Sequence, residues 1–158
     1  MSTISATLRF ALSVLETFTE VEMPASKNRT ITDDQFGSTV KLDAASTPAA
    51  TKAWAAKLTG SQTIDLTNLA RSVGPTVNAT GLKLQMLLLQ NLSTAGSLDV
   101  AVGATNGYAI NGSGGHVIVP LGGSCQQYFA DALADVDSTH KTLDVVVTGD
   151  FQIQMVFG

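Results

Sequence analysis

The side chains best suited to chemistry in this 158-residue sequence are Cys125, His116 and His140, a nucleophile with two bases or a set of metal ligands. Their spacing, H-x8-C-x14-H, offers no closely spaced pair of the kind that seats zinc. A lone cysteine beside glycines reads instead as a small hydrophobe in a core. Asp131, Asp135 and Asp137 could present oxygens to calcium. They lack the alternating D-x-D-x-D-G loop that converges on one ion, so they read as a solvated acidic loop. No two carboxylates stand out as an acid and base for sugar hydrolysis.

The glycine-rich NGYAINGSGGH (residues 106–116) has no Gly-Lys-Ser/Thr ending and is not a phosphate loop. GGSCQ is not a hydrolase nucleophile elbow. Glycines 112, 114 and 115 fit turns that need positive φ. Trp54 and Tyr128 could stack on a sugar, although aromatics this far apart in sequence more often belong to a core or an interface. Four N-x-S/T sequons, at Asn28, Asn78, Asn91 and Asn111, fit chance in a Ser/Thr-rich chain. The sequence thus assigns no catalytic, cofactor-binding or metal-binding residue, and a non-enzymatic binding or assembly role is expected.

The elements that would position these residues are strands. Apolar residues alternate with polar ones in TGLKLQMLLLQN and SLDVAVG, with NLSTAG between them as a hairpin turn. KTLDVVVTGDFQIQMVFG reads as a closing hairpin about Thr148-Gly149-Asp150. HVIVPL, ended by Pro120, suits an edge strand. TITDD, STVKLDA, KAWAAKLT and QTIDLTNL are shorter strand candidates. QQYFADALADV (126–136) fits a turn or two of helix, or a loop crossing a sheet. The N-terminal STISATLRFALSVLETF carries an apolar row at alternate positions (Ile4, Ala6, Leu8, Phe10, Leu12, Val14) and is expected to form one long strand from residue 3 to about 15. The fold class is therefore all-β: one antiparallel β-sandwich over residues 1–158, jelly-roll-like, with at most one or two helical turns.

Composition narrows the partners. Charged residues are only 14% of the chain against 44% apolar, so much of the surface is expected to lie in a two-faced sheet or against a neighbour. The net charge is −4 with no run of Lys or Arg, which disfavours nucleic acid and anionic membranes. The N-terminus lacks the pattern of a secretory signal, and no window matches a membrane-spanning helix, so a soluble chain made in a cytoplasm is expected.

The order of segments resembles small virion proteins of tailed bacteriophages. STPAATKAWAAKLTGSQTIDLTNL, TGLKLQMLLLQN, VGATNGYAI, a Gly-Gly turn and the closing KTLDVVVTGDFQIQMVFG carry the likeness, which spans roughly residues 45–158. It implies a capsid decoration or cement protein: a β-sandwich acting as a homodimer or homotrimer, bound to the major capsid protein on the virion, with no cofactor. A tail, neck or fibre module and a carbohydrate- or receptor-binding domain are the alternatives. The N-terminal strand (1–18) or an edge strand would dock by strand addition.

Overall fold

A computed structural model describes residues 4–18, 29–71 and 74–158, with side chains of 10–18 and 29–38 outside the description. The described chain is all-β, without helices. β1 (Ser5–Phe18) and β2 (Arg29–Asp43) form a two-stranded ribbon. The next eight strands are β3 (Lys52–Thr59), β4 (Gln62–Asp65), β5 (Leu84–Asn91), β6 (Ala95–Val102), β7 (His116–Val119), β8 (Ser124–Tyr128), β9 (Thr142–Thr148) and β10 (Asp150–Phe157). They build two antiparallel sheets, ordered β3-β10-β5-β8 and β4-β9-β6-β7, packed face to face. The pairing is nested: β3 with β10, β4 with β9, β5 with β8, β6 with β7.

Alternation builds the core. Trp54, Leu87, Leu89, Phe151, Ile153 and Met155 point inward from one sheet, and Ile64, Leu98, Val100, Val119, Leu143 and Val145 from the other. Each large apolar side chain buried in this way contributes about 1.5–3 kcal/mol. In β5 the phase of alternation changes once. Val156 faces Met86 and Phe157 faces Leu84, so Gln85 is an extra, bulged residue. Leu84 and Leu87 can then both reach the core while Met86 points out the other side.

Two expected hairpins are not hairpins. β5 and β6 lie in opposite sheets, and so do β9 and β10. NLSTAG and Thr148-Gly149-Asp150 are corners that carry the chain across the core. Alternation marks which face of a strand is buried, and that face is the same whether two strands lie side by side or oppose one another. Gly149, at φ +112°, makes the second corner so tightly that a Cβ there would sit 3.2 Å from Ser93 Cβ. Its carbonyl accepts the N–H of Gly60, the residue that turns β3 into β4 in the opposite sheet, at 2.8 Å.

The helical alternative for 126–136 is replaced by the end of β8 and a loop. Phe129 N–H donates to Gln85 O, and Val136 N–H to Leu82 O, so this backbone is already committed to β5 and its approach. Any such pairing excludes the helical i to i−4 bond.

The N-terminal segment is one long strand, running to Phe18 and so beyond the expected end near 15. It pairs within its own chain, from Ser5 opposite Asp43 to Phe18 opposite Arg29, with one irregularity between Leu12 and Val14. TITDD and STVKLDA, read as separate strands, are one continuous partner, β2. The ribbon base packs on the outer face of the β3-β10-β5-β8 sheet, where Leu8, Leu42 and Ala50 bury Met86 and Val156. That end of the molecule has three layers, while the ribbon joins no other sheet.

Candidate interaction surface

The candidate chemical residues do not converge. Cys125 lies on β8, half-buried and packed against the core opposite Leu89. His116 lies on β7 at the surface, with Nδ1 2.9 Å from Asp99. His140 closes a turn with Asp137, 3.1 Å away. Each histidine is thus engaged by its own carboxylate. Among the described residues no group of three or more His, Cys, Asp or Glu is placed to hold a metal ion.

The acidic loop is dispersed in the same way. Asp131 pairs with Lys83 at 2.7 Å. Asp137 accepts the backbone N–H and the hydroxyl of Thr139 together with His140, and these donors hold its carboxyl well below the usual carboxylate range. An Asp with its lone pairs committed to a turn is an organiser of backbone.

Trp54 is buried on the core side of β3 and donates Nε1–H to Ala70 O at 2.7 Å. Tyr128 lies half-exposed on the outer side of β8, at the opposite edge of the same sheet. The two cannot flank one sugar. Asn91 is fully buried, which removes its sequon from use. Asn78 caps a local turn through Thr80 N–H, and Asn28 lies outside the described residues. Gly112 and Gly114 have positive φ, as their turn requires.

Two buried polar residues matter that spacing did not reveal. Asn91 Nδ2 donates to Gly96 O and Val119 O, while its Oδ1 accepts Ser93 N–H and Ser93 Oγ–H, tying the β5–β6 corner to β7. The Tyr108 hydroxyl accepts Leu84 N–H at 3.1 Å and donates to Ala134 O at 2.7 Å. Burial pushes that phenol up to about 12. Both are polar residues in loops or at strand ends, where periodicity carries no signal.

One concavity among the described residues is a poor ligand site. A cleft of about 140 Å³ opens between the β3 and β4 edges, lined by Trp54, Leu58, Asp65 and Asn68 among others. Drug-sized ligands occupy about 300–1,000 Å³. Burial pushes the Asp65 carboxyl up, but the Thr67 hydroxyl and the Lys141 ammonium outweigh it and hold the group below its ordinary value. It is a structural anion.

What remains is surface. Ile118 and Val146 are 63% and 61% exposed on the outer face of the β4-β9-β6-β7 sheet, both opposite Asp99. Leu121, in the β7–β8 turn, is 55% exposed, and Tyr128 follows on β8. Among the described residues, three of these four, Ile118, Leu121 and Tyr128, lie toward the β7/β8 side of the sandwich, while Val146 stands on β9 across β6. Together with the ribbon they are the features suited to contact another macromolecule. Comparison with protein-family models, curated proteins and solved structures finds no match.

Proposed function

We propose that this chain is a structural protein of a tailed-bacteriophage virion, a decoration or cement protein that bridges neighbouring subunits of the capsid. The observation that carries the reading is the ribbon. Thirteen residue pairs join β1 to β2, and among the described side chains it is those of the base that pack on the sandwich. A strand of fourteen residues spans about 45 Å at roughly 3.3 Å per residue, which exceeds what a local turn needs. An isolated two-stranded ribbon is marginal in water, so a long one is best accounted for by a surface that receives it.

The remaining features agree with an assembly role. The nested pairing of β3–β10 supports reading the sandwich as jelly-roll-like, an architecture recurrent in capsid and lectin domains. The core burial of Trp54 disfavours the carbohydrate-binding alternative, because its ring is not available for stacking. Attachment through both a ribbon and a sandwich makes the second contact effectively intramolecular, so avidity accrues without one strong contact. On this reading the partner is the major capsid protein, the location is the virion, and the chain works as a homodimer or homotrimer.

The test is to remove the outer ribbon and keep its base. Arg9 and Thr39 face each other in register, so an Asn-Gly turn can join them in place of residues 10–38. The shortened protein retains Leu8, Leu42 and the sandwich. Loss of binding to purified capsids with an unchanged urea midpoint is expected. Full occupancy of capsids by the shortened protein would overturn the ribbon's role.

A further inference from the structure

We propose that the free edge of β8 is a self-association surface, which joins two copies of this chain about a two-fold axis at Gln126. The four outer edges of the sandwich are guarded unequally. At β3 the Arg71 guanidinium donates to Ala53 O, and Lys52 donates to Asn78 O, so charged side chains and the following loop cover that edge. β4 is four residues long. β7 is also four residues long and stops at Pro120. β8 has none of the usual protections: no charge, no proline and no covering segment among the described residues.

The backbone of β8 shows what is on offer. Gly123 O accepts from Asn91, and Phe129 N–H donates to Gln85, so residues 123, 125, 127 and 129 bond to β5. Antiparallel bonding alternates, which turns the N–H and C=O of Ser124, Gln126 and Tyr128 away from the sheet. Six strong hydrogen-bonding groups, left to water in the single chain, thus form a row that another extended strand can pair in full.

Charge selects a second copy as the occupant. The chain carries a net −4, and contact between two copies is least opposed where the surface is neutral. From Val117 to Tyr128 there is no Asp, Glu, Lys or Arg. The sequence Ser-Cys-Gln-Gln-Tyr also suits antiparallel pairing with itself: Gln126 meets Gln126, Cys125 meets Gln127, and Ser124 meets Tyr128. Core-side residues then meet core-side residues, and outer-side residues meet outer-side residues. Gln127 Oε1, buried and without a donor in the single chain, comes opposite the second copy's thiol in this register. An isologous contact of this kind closes at two copies. It is independent of the virion role and would hold for any β-module with this edge.

Sedimentation equilibrium over a wide concentration range tests it. The full-length chain should shift from monomer toward twice the monomer mass. Gln126→Lys places two ammonium groups together at the axis and should weaken association at least about ten-fold, with an unchanged urea midpoint, because Gln126 lies on the outer side of β8. In a Cys125→Ser background, Gln126→Cys should give a disulfide-linked dimer on mild oxidation, since directly opposed residues lie about 5.5 Å apart. If the lysine variant does not fold, the cysteine variant decides alone. A chain that stays monomeric, a trimer, an unchanged mass for the lysine variant, or no cross-link through residue 126 would each overturn the proposal.

Discussion

Replacing Asn91 by Ala should be among the most damaging single changes in the molecule that leave its apolar side chains untouched. Asn91 makes four hydrogen bonds from a fully buried site, two through Nδ2 and two through Oδ1. Truncation removes them all, but the cost is not four times one bond. Gly96 is exposed and its carbonyl can turn to water, and the Ser93 hydroxyl keeps Ala95 O as an acceptor. Val119 O and Ser93 N–H are left in buried surroundings. At about 1–3 kcal/mol per orphaned group, the expected loss is about 3–4 kcal/mol. For a chain of this size that corresponds to a fall of roughly 6–16 °C in Tm, at about 2–4 °C per kcal/mol. Urea unfolding followed by tryptophan fluorescence reads the midpoint, with an unchanged m-value showing that the folded state is otherwise intact. Ser93→Ala is the internal comparison. It removes one side-chain partner and should cost about 1 kcal/mol. A loss below about 1 kcal/mol for Asn91→Ala, or one no greater than for Ser93→Ala, would refute the view that this amide holds the β5–β6 corner to β7.

Other consequences are open to the same assay. Gly149→Ala forces a side chain into φ +112° against Ser93 and should destabilise by about 1–3 kcal/mol. The Tyr108 phenol is raised from 10.0 to about 12 on folding, so the unfolded chain ionises first. Its stabilising contribution is present below about pH 10 and lost as pH rises toward 12. Tyr108→Phe should therefore be less stable than the parent at neutral pH, and the gap should narrow across that window; a constant gap would contradict the assignment. Asp137 titrates in the opposite sense, because its folded carboxyl is held below the usual range. Its contribution is present above about pH 4 and lost as pH falls, so the deficit of Asp137→Asn should shrink in acid. Leu42→Ala, at the ribbon base, should cost about 2–5 kcal/mol if the ribbon and sandwich unfold together.

Much of the fold was legible. Alternation located most of the sandwich strands, because a buried face imposes period two on any sequence that fills it. It could not say which sheet a strand joins. Leu143, Val145 and Val147 oppose Phe151, Ile153 and Met155 across one core, and the same residues would alternate identically in a hairpin. β2 was harder to read because TITDD and STVKLDA are separated by Gln35, Phe36 and Gly37, where the register shifts opposite Leu12 and Val14 while the strand runs on. Gln85 hid the bulge in β5, since an extra residue looks like one more step of alternation until the partner strand is counted.

The spacing of Cys125, His116 and His140 offers no compact motif, and the structure sets Cys125 against the core and each histidine beside its own carboxylate. The surfaces now of interest had a weaker signal. The run from Val117 to Tyr128 is visibly uncharged, but only the pairing with β5 shows that one side of β8 is open. Asn91 and Tyr108 were invisible because their role depends on carbonyls distant in sequence.

The proposed role on the capsid stands or falls on stoichiometry. Quantitative mass spectrometry of purified virions should find this chain in a copy number approaching that of the major capsid protein. Its absence from particles, or its presence in only a handful of copies as for a tail or neck component, would contradict decoration of the shell.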